Sequence, residues 1–369
     1  FRNKICLKFR TASAIFVVTG DHPNNCTGGS EFQAYLIAKG LSNFLGRTYF
    51  CTMFSNETCI GYEDENLIHL SIRKGFLPGK VFQFLIYAKR FKPDIFYVRC
   101  LYSFWWIKLI GIILNKPVVY HLSSDNHAQY SKVKLKTLPS ITLRNFYIWA
   151  TQFSAIVISQ TKRQADLYKK TFNISPTVVY NAQLPCNNQV IKDYSKISVL
   201  WLGKTFKNPE RFTELAARMG NQNRFEFLLA GLFTENQSSY FSAMQKNATN
   251  FKYLGYLSRN EVYEELDNAH VLINTSDAEG FPNTFIEAWF RGVIVISDKI
   301  DPDNILIDNG IGFICKNTSE MELKLKELFA GDLTKAKEYS AKAKEYAFKN
   351  HNINVVSKEI FQIIQGLYQ

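Results

Sequence analysis

The stretch "HVLINTSDAEGFPNTFIEAWFRGVIVISD", His270 to Asp298, decides how this chain folds. Its two ends, "HVLINTS" and "VIVISD", are short, near-continuous apolar runs, the pattern of parallel strands covered on both faces. Between them come a polar loop with a glycine and a proline, and then a run around Phe285, Ile286, Ala288, Trp289 and Phe290 that reads as a buried helix. Strand, loop, helix and strand within about thirty residues make one βαβ unit. The unit carries two carboxylates, Glu279 and Glu287. They read either as a paired site or as a loop charge followed by a capping box, Thr284 with Glu287 three residues on.

The same alternation runs through the chain. In the first half "SAIFVVTG" (13–20), "DIFYVRC" (94–100), "PVVYHLSS" (117–124), "SAIVISQ" (154–160) and "TVVYNA" (177–182) read as buried strands. Helical patterns such as "GSEFQAYLIAKGLSNFL" and "KVFQFLIYAKRF" separate them. In the second half "ISVLWLG" (197–203) and "RFEFLLAG" (224–231) join the two strands of the opening stretch. The polar segment 181–196 has a proline and no periodicity, which suits a linker. The expected organisation is α/β throughout, two Rossmann-like doubly wound parallel-sheet domains facing a central cleft. Their boundaries are placed at 1–185 and 186–350, with a final helix over 351–369 that can return to the first domain.

Composition agrees with two domains, since 369 residues exceed what one hydrophobic core usually supports. Seven cysteines, odd in number and without CxxC spacing, argue for a reducing compartment and against a disulfide framework or a zinc site. A cytoplasmic protein is expected. No signal peptide is visible, and the start at Phe1 leaves room for an upstream segment. The longest apolar run, "SFWWIKLIGIILN" (103–115), is interrupted by Lys108 and falls short of the roughly 20 residues that span a bilayer.

The net charge of +12 is unevenly distributed. Residues 1–190 hold 23 basic and 9 acidic side chains, whereas residues 191–369 hold 21 and 23. An excess confined to one half points to an anionic partner for that half, nucleic acid and an anionic membrane surface being the usual candidates. A generally basic proteome is the plainer alternative.

Ligands of open parallel sheets bind where loops leave the carboxyl ends of strands, and four such loops carry chemistry. "TGDHPNNCTGGSEFQA" leads through Gly28 and Gly29 into a helix whose first N–H groups can meet an anion. It is neither GxGxxG nor a P-loop, and the plain alternative is a glycine turn with a capping box of Ser30 and Gln33. After "PVVYHLSS", His121 closes a strand and Asp125 and His127 follow; a satisfied structural histidine is the competing reading. In "VLWLGKTFKNPERFTELA", Lys204 and Lys207 precede a helix with Pro209 at its first position, a combination suited to a diphosphate or to plain solvated lysines. The fourth loop is the opening one. Buried at a helix start, Glu287 wants donors, which sugar or ribose hydroxyls can supply.

"SDAEGFPNTFIEAWFRGVIVISD" resembles the donor-site signature of retaining glycosyltransferases with the GT-B fold, most closely glycosyltransferase family 4, whose mark is two glutamates separated by seven residues. The glycine loop, His121, "WLGKTFKNPERF", "YLGYLSRNEVYEEL" and "DNGIGFIC" (308–315) occur in the family's order, so the resemblance covers nearly the whole chain. It implies a nucleotide sugar, UDP- or GDP-linked, in the C-terminal domain and a glycan or lipid-linked acceptor in the N-terminal one. It implies that Glu287 bonds the ribose, that Glu279 and the backbone of Gly280, Phe281, Pro282, Asn283 and Thr284 address the sugar, and that Gly29 and Gly28 pack on the diphosphate. Lys207 matches the family's lysine on the diphosphate, and Lys204 stands where most members carry an arginine. His121 matches the histidine that reaches toward the sugar, and Gly255 and Tyr256 fall where the base is held.

The chemistry this implies is hexosyl transfer with retention, by front-face substitution through an oxocarbenium-like state. The two carboxylates then serve as binding groups, unlike the acid and base of a glycosidase. Cations and amide dipoles can stabilise a departing diphosphate without a metal, so no cofactor and no metal are expected. Asp301 and Asp303 have DxD spelling but lie past the donor motif. The role implied is in cell-surface polysaccharide or glycoconjugate assembly, with the basic first domain, "SFWWIKLI" and "FRNKICLKFR" docking peripherally on the inner face of an anionic membrane. A catalytically silent GT-B partner protein is the alternative. Nucleic-acid binding fits less well, because the aromatic residues sit in apolar strands and helices and no recognised module is present.

Overall fold

The computed structural model describes residues 12–24, 29–130, 138–186, 191–220 and 222–369. The chain divides into two compact units, Phe1–Leu184 with Asn352–Gln369, and Pro185–His351. Gly28 and the basic stretch 1–10 lie outside the described residues.

The first unit is built on strands β1 (Ala14–Thr19), β2 (Arg47–Ser55), β3 (Ile60–Asp64), β4 (Leu67–Arg73), β5 (Ile95–Val98), β6 (Val118–His121), β7 (Ile156–Ser159) and β8 (Thr177–Val178). They lie in the order β3-β4-β2-β1-β5-β6-β7-β8. All neighbours pair in parallel except β3, which runs antiparallel at the edge. Helices α1 (Gly29–Leu41), α2 (Leu77–Phe91), α3 (Leu101–Ile113), α4 (Asp125–Ala128), α5 (Leu138–Gln152) and α6 (Lys162–Phe172) connect the strands. Side chains of α2, α3, α5 and α6 fill the core on one face, including Phe84, Phe104, Tyr147 and Tyr168. On the other face α1 packs with a returning C-terminal helix.

Three strands of this sheet were not among the expected ones. β3 is exposed along most of its length, so it lacks an apolar pattern. β2 and β4 are buried but interleave Thr, Ser, His and Cys with apolar residues, which weakens the signal that β1 and β5 give. The expected strand over 177–182 ends early: the Val179 N–H still bonds the Ser159 carbonyl (2.9 Å), and Ala182 then takes another partner. The Gln33 amide of α1 donates to the Ala182 carbonyl (2.7 Å) and accepts from its N–H (2.9 Å). Ser30 and Gln33 therefore form no capping box: α1 already begins at Gly29, and Gln33 pins the helix to the end of the unit.

The second unit has strands β9 (Ile197–Lys204), β10 (Phe225–Leu232), β11 (Phe251–Gly255), β12 (Val271–Asn274), β13 (Ile294–Ser297) and β14 (Gly312–Ile314). All are parallel, in the order β11-β10-β9-β12-β13-β14. Here α7 (Pro209–Arg218), α8 (Glu235–Asn247), α9 (Arg259–Asn268), α10 (Asn283–Trp289), α11 (Ile305–Asp308), α12 (Thr318–Phe329) and α13 (Thr334–Asn350) are the connections. The strands not expected, β11 and β14, are the two edges, short and only partly buried.

After α13 the chain rejoins the first unit through α14 (Ile353–Gln365). Asn352 makes a parallel bridge with Gln183, and the Ile353 N–H bonds the Gln183 carbonyl (3.0 Å). The helix buries Ile353, Val356, Ile360 and Ile364 at the spacing of one helical face. Gly40 of α1 lets the two helices approach, since a methyl group there would collide with the Ser357 hydroxyl and meet Ile353 Cγ1 at 3.0 Å. A Gly40→Val substitution is therefore expected to destabilise the first unit by about 1–3 kcal/mol through overpacking. Urea denaturation of the full chain checks this, and an unchanged midpoint would show that α14 is not held at this contact.

Candidate functional site

In the second sheet β9 and β12 are neighbours whose helices depart toward opposite edges, α7 leading to β10 and α10 to β13. Such a switch point opens a crevice at the carboxyl ends of the strands. The loop after β9 brings Lys204, the last residue of the strand, and Lys207, which ends a 3-10 turn. Asn208 then adopts a left-handed conformation (φ 53°, ψ 58°) and gives way to Pro209 at the start of α7. Asparagine tolerates that backbone better than most residues.

The two loops are bonded to each other. Trp201 Nε1 donates to the buried Thr275 hydroxyl (2.9 Å), which lies within bonding reach of the Lys207 and Asn208 carbonyls (2.9 and 2.8 Å). The Asn208 amide donates to the Thr275 carbonyl (3.2 Å) and to the Asp277 carboxylate (2.8 Å). Across this join Lys207 Nζ meets Glu279 Oε1 at 2.6 Å, with both side chains mostly buried, and the Ser276 hydroxyl donates to the same oxygen (2.8 Å). Lys207 and Glu279, read from separate motifs, are thus one pair. Arg211 on α7 binds Asp298 and also Asp277 (3.3 Å), and Lys299 reaches Asp277 at 2.5 Å. Bonds from Lys299 and Asn208 hold the Asp277 carboxyl down at about 2.

Glu287 has a different partner. Helix α10 begins at Asn283 after Pro282, and no side chain caps it. Thr284 lies inside the first turn, so it forms no capping box with Glu287; the proline ahead sets the helix start. The Glu287 carboxylate is buried, 6% exposed, with Arg259 Nη1 at 3.5 Å. Arg259 opens α9, just after the loop of Gly255 and Tyr256. Gly255 is left-handed (φ +73°) with open space where a side chain would stand, and Tyr256 is exposed. Arg259 therefore ties this loop to α10. Phe281 is buried against Trp289 and His351, so from Gly280 to Pro282 the backbone is what a ligand can meet. Asp301 accepts the N–H groups of Leu306 and Ile307 (2.8 and 3.4 Å), a helix-start role rather than half of a metal pair.

Residues 192–350 match the family model described as Glycosyl transferases group 1, a span inside the second unit. HepE of Anabaena, solved in complex with UDP, is similar at a TM-score of 0.73 and 15% identity, over 96% of this chain and 100% of that one. Sucrose-phosphate synthase from Thermosynechococcus elongatus gives 0.73 and 14%, over 97% and 99%. A glycosyltransferase from Rickettsia africae gives 0.73 and 15%, over 98% and 100%. The fold is GT-B. No curated protein matches the sequence.

The first unit of this GT-B fold has its own switch point, between β1 and β5, whose helices α1 and α3 cover opposite faces of the sheet. Gly29 begins α1 there. His121, at the end of β6, is buried; its Nδ1 is bonded by the Tyr97 hydroxyl and lies 3.3 Å from Arg99 Nη1. Burial, then Arg99, pushes its pKa well below the ordinary range. His127 is structural, its Nδ1 near the hydroxyls of Tyr120 and Ser123 (3.2 Å each). Burial, aided by Arg99, lowers its pKa to about 4.

Reading the sequence did not single out Arg99, Arg211, Arg259 or Asp277. Each lies within a stretch that was marked, but nothing local distinguishes these charges from solvated ones. Among the described residues one group has metal-ligand composition, His22, Glu63 and His69, with ligand atoms within 4.8 Å of one another. His22 Nδ1 accepts the Asn24 N–H (3.2 Å), so its proton sits on Nε2, facing Glu63 (3.4 Å). That tautomer turns a donor toward the Glu63 carboxylate and leaves Nε2 without the lone pair a metal needs.

Two neutral buried histidines have a consequence for stability. The unfolded chain binds a proton at each near pH 6.5, whereas the folded chain does not until His127 titrates at about 4. Their contribution is complete above pH 6.5 and is lost as pH falls toward 4, at about 1.4 kcal/mol per pH unit per histidine. Urea midpoints between pH 7 and 4.5 check this, with a shallower slope expected for His127→Asn. A flat profile for the native chain would contradict it.

Proposed function

We propose that the protein is a retaining glycosyltransferase that moves a hexosyl group from a UDP- or GDP-sugar to a glycan or lipid-linked acceptor without a metal ion. Its role on this reading is in cell-surface polysaccharide or glycoconjugate assembly. The observation that carries the proposal is the second-domain switch point, where the Lys207–Glu279 pair on the loops and the buried Glu287 of α10 stand within the group 1 match. The complexes of Anabaena HepE with UDP and with UDP-glucose support a nucleotide-sugar ligand for a fold of this kind.

In this reading Glu287, steadied by Arg259, accepts the ribose hydroxyls, and the exposed Tyr256 beside Gly255 takes the base. Glu279 and the Gly280–Asn283 backbone take the sugar. Lys204 and Lys207 meet the diphosphate, with Lys207 exchanging part of its bond to Glu279 for phosphate oxygens. The bond from the anomeric carbon to the phosphate oxygen breaks, the acceptor oxygen bonds to that carbon on the same face, and the acceptor proton passes to the leaving phosphate. Cations fixed beforehand stabilise the charge that develops there. His121 enters as neutral imidazole, a hydrogen-bond partner for the sugar rather than a cation. A catalytically silent partner protein would share the binding and lack the turnover.

A thermal-shift panel of UDP-, GDP- and ADP-sugars, followed by product analysis, tests this. One nucleotide sugar is expected to raise the melting temperature and to be turned over with its anomeric configuration kept, equally well in EDTA. Glu287→Ala is expected to weaken donor binding about tenfold to a hundredfold, the scale of a lost buried charge-assisted bond. Unchanged nucleotide affinity would remove that role, binding without transfer would favour the silent partner, and activity abolished by EDTA and restored by magnesium would overturn metal independence.

The first domain supports peripheral attachment to an anionic membrane. Helices α2, α3 and α5, which cover one face of its sheet, leave Phe82, Ile86, Leu109, Ile112, Ile113 and Phe146 exposed. Lys89, Arg90 and Lys92 are exposed at the end of α2. Apolar insertion beside basic charge is the chemistry of a lipid surface carrying negative headgroups. Among the described residues no helix is long and apolar enough to cross a membrane. Flotation with vesicles containing phosphatidylglycerol is expected to carry the protein, weakened by salt and by an Ile112→Ser, Ile113→Ser double substitution. Equal flotation with neutral vesicles would remove the electrostatic part.

A further inference from the structure

One charge interrupts the apolar stretch 103–115, and the fold buries it. Lys108, in the middle of α3, is 7% exposed. Helical spacing puts it between two environments. Phe104, four residues before it, stacks on Tyr120 of β6 (4.0 Å between ring centres), and Gly111, three residues after it, lies close against Val118 of the same strand. On its other flank Trp105 stacks on Phe146 of α5 (4.5 Å), and Ile112 is exposed. Lys108 thus stands at the border between the core and the apolar face that α3 and α5 leave uncovered.

No counter-charge accompanies it. Among the described residues Lys108 has neither an ion pair nor a hydrogen bond, whereas Lys116, just past the same helix, has Asp94 at 3.8 Å. The residues outside the described ones include no Asp or Glu, so no side-chain carboxylate of the chain pairs with it. Burial lowers the pKa of its ammonium to about 8, with no neighbouring charge to offset the loss of water. A buried ammonium left unpaired costs stability that an anion from outside can restore.

The surroundings select the kind of anion. Tyr102, Leu109, Ile112 and Ile113 of α3 and Phe146 of α5 are exposed beside Lys108. A free anion gains nothing from such a surface, whereas a phospholipid brings acyl chains and a phosphate together. Lysine suits that boundary, because its methylene stem lies along apolar groups while the ammonium reaches headgroup level.

We propose that the α3–α5 face is a lipid site in which the Lys108 ammonium takes the phosphate of an anionic phospholipid, with Leu109, Ile112, Ile113 and Phe146 at the acyl boundary. The proposal rests on the peripheral-attachment reading and deepens it. That reading drew on the exposed charges at the end of α2, and this one assigns a single headgroup to a single unpaired side chain.

Calorimetric titration of the full chain with dihexanoylphosphatidylglycerol below its micellar concentration tests it, with inorganic phosphate as the comparison and vesicle flotation alongside. Lys108→Met is expected to lose about fivefold in affinity for the short-chain lipid, the scale of one basic residue at an anionic surface. Its melting temperature is not expected to fall, because an unpaired buried charge is removed. Lys108→Gln is expected to lose the same affinity and carries the test if Lys108→Met does not fold, and Lys108→Arg is expected to keep the binding. Equal lipid affinity in the native chain and the uncharged variants overturns the proposal. Inorganic phosphate bound at Lys108 as tightly as the lipid also overturns it, since the acyl chains would then contribute nothing. Flotation with phosphatidylglycerol vesicles that is equal in the native chain and Lys108→Met would sink this site and leave attachment standing. Lys108-dependent binding of the short-chain lipid without flotation would sink attachment and leave the site.

Discussion

Parallel strands cannot be joined by tight turns; each needs a crossover that climbs back over the sheet, and in the right-handed sense. Both sheets of this chain obey that constraint, and much of the rest follows from it. Where two central strands send their helices to opposite sides, their carboxyl ends stay uncovered, at β9 and β12 in one unit and at β1 and β5 in the other. The residues assigned a role stand at the carboxyl ends of strands, on the loops that leave them or in the opening turns of the helices that follow. The strands themselves, buried on both faces, are free to be almost wholly apolar and to act as rigid supports.

The two switch points differ in their charge balance. In the second unit three cations near the strand ends have carboxylates: Lys207 has Glu279, Arg211 has Asp298 and Asp277, and Arg259 has Glu287. Such a network is neutral enough to stay folded without a ligand, and its geometry is set before a ligand arrives. In the first unit the contact of Arg99 is a neutral group, a histidine held unprotonated beside a tyrosine, and Glu31 acts on it only through space. The second switch point is thus balanced by ion pairs within the chain, whereas the first keeps a buried guanidinium without an ion pair.

What the sequence made legible follows from burial. Strands such as "SAIFVVTG" and "ISVLWLG" announce themselves because both faces are covered, while β3, β11 and β14, at sheet edges, are partly exposed and carry no comparable pattern. The loop after β12 was legible because glycine, proline and two glutamates stand at a recognisable spacing. Hydrogen bonds made over long sequence separations were not. Gln33 fits a capping box by its neighbours and instead bonds Ala182, 149 residues on. Thr284 fits another, yet α10 starts at Asn283 with Pro282 in the cap position, which puts Thr284 inside the helix. "SRNE" at Ser258–Glu261 does form a capping box, with local bonds in both directions.

The partners of the two glutamates also bear on the chemistry. A glycosidase needs its carboxyls to face one sugar together, one of them able to give a proton. Here Glu279 is engaged by an ammonium and a hydroxyl on the loop side, and Glu287, one turn into α10, is engaged by a guanidinium on the α9 side. Each is surrounded by donors, the environment of a hydrogen-bond acceptor rather than of an acid. Each can exchange one of those donors for a hydroxyl of a bound ligand and stay satisfied, which a buried carboxylate must do if it is to bind without being left unpaired. A spacing of eight residues thus works by separating the two groups: it hands Glu279 to Lys207 and Glu287 to Arg259.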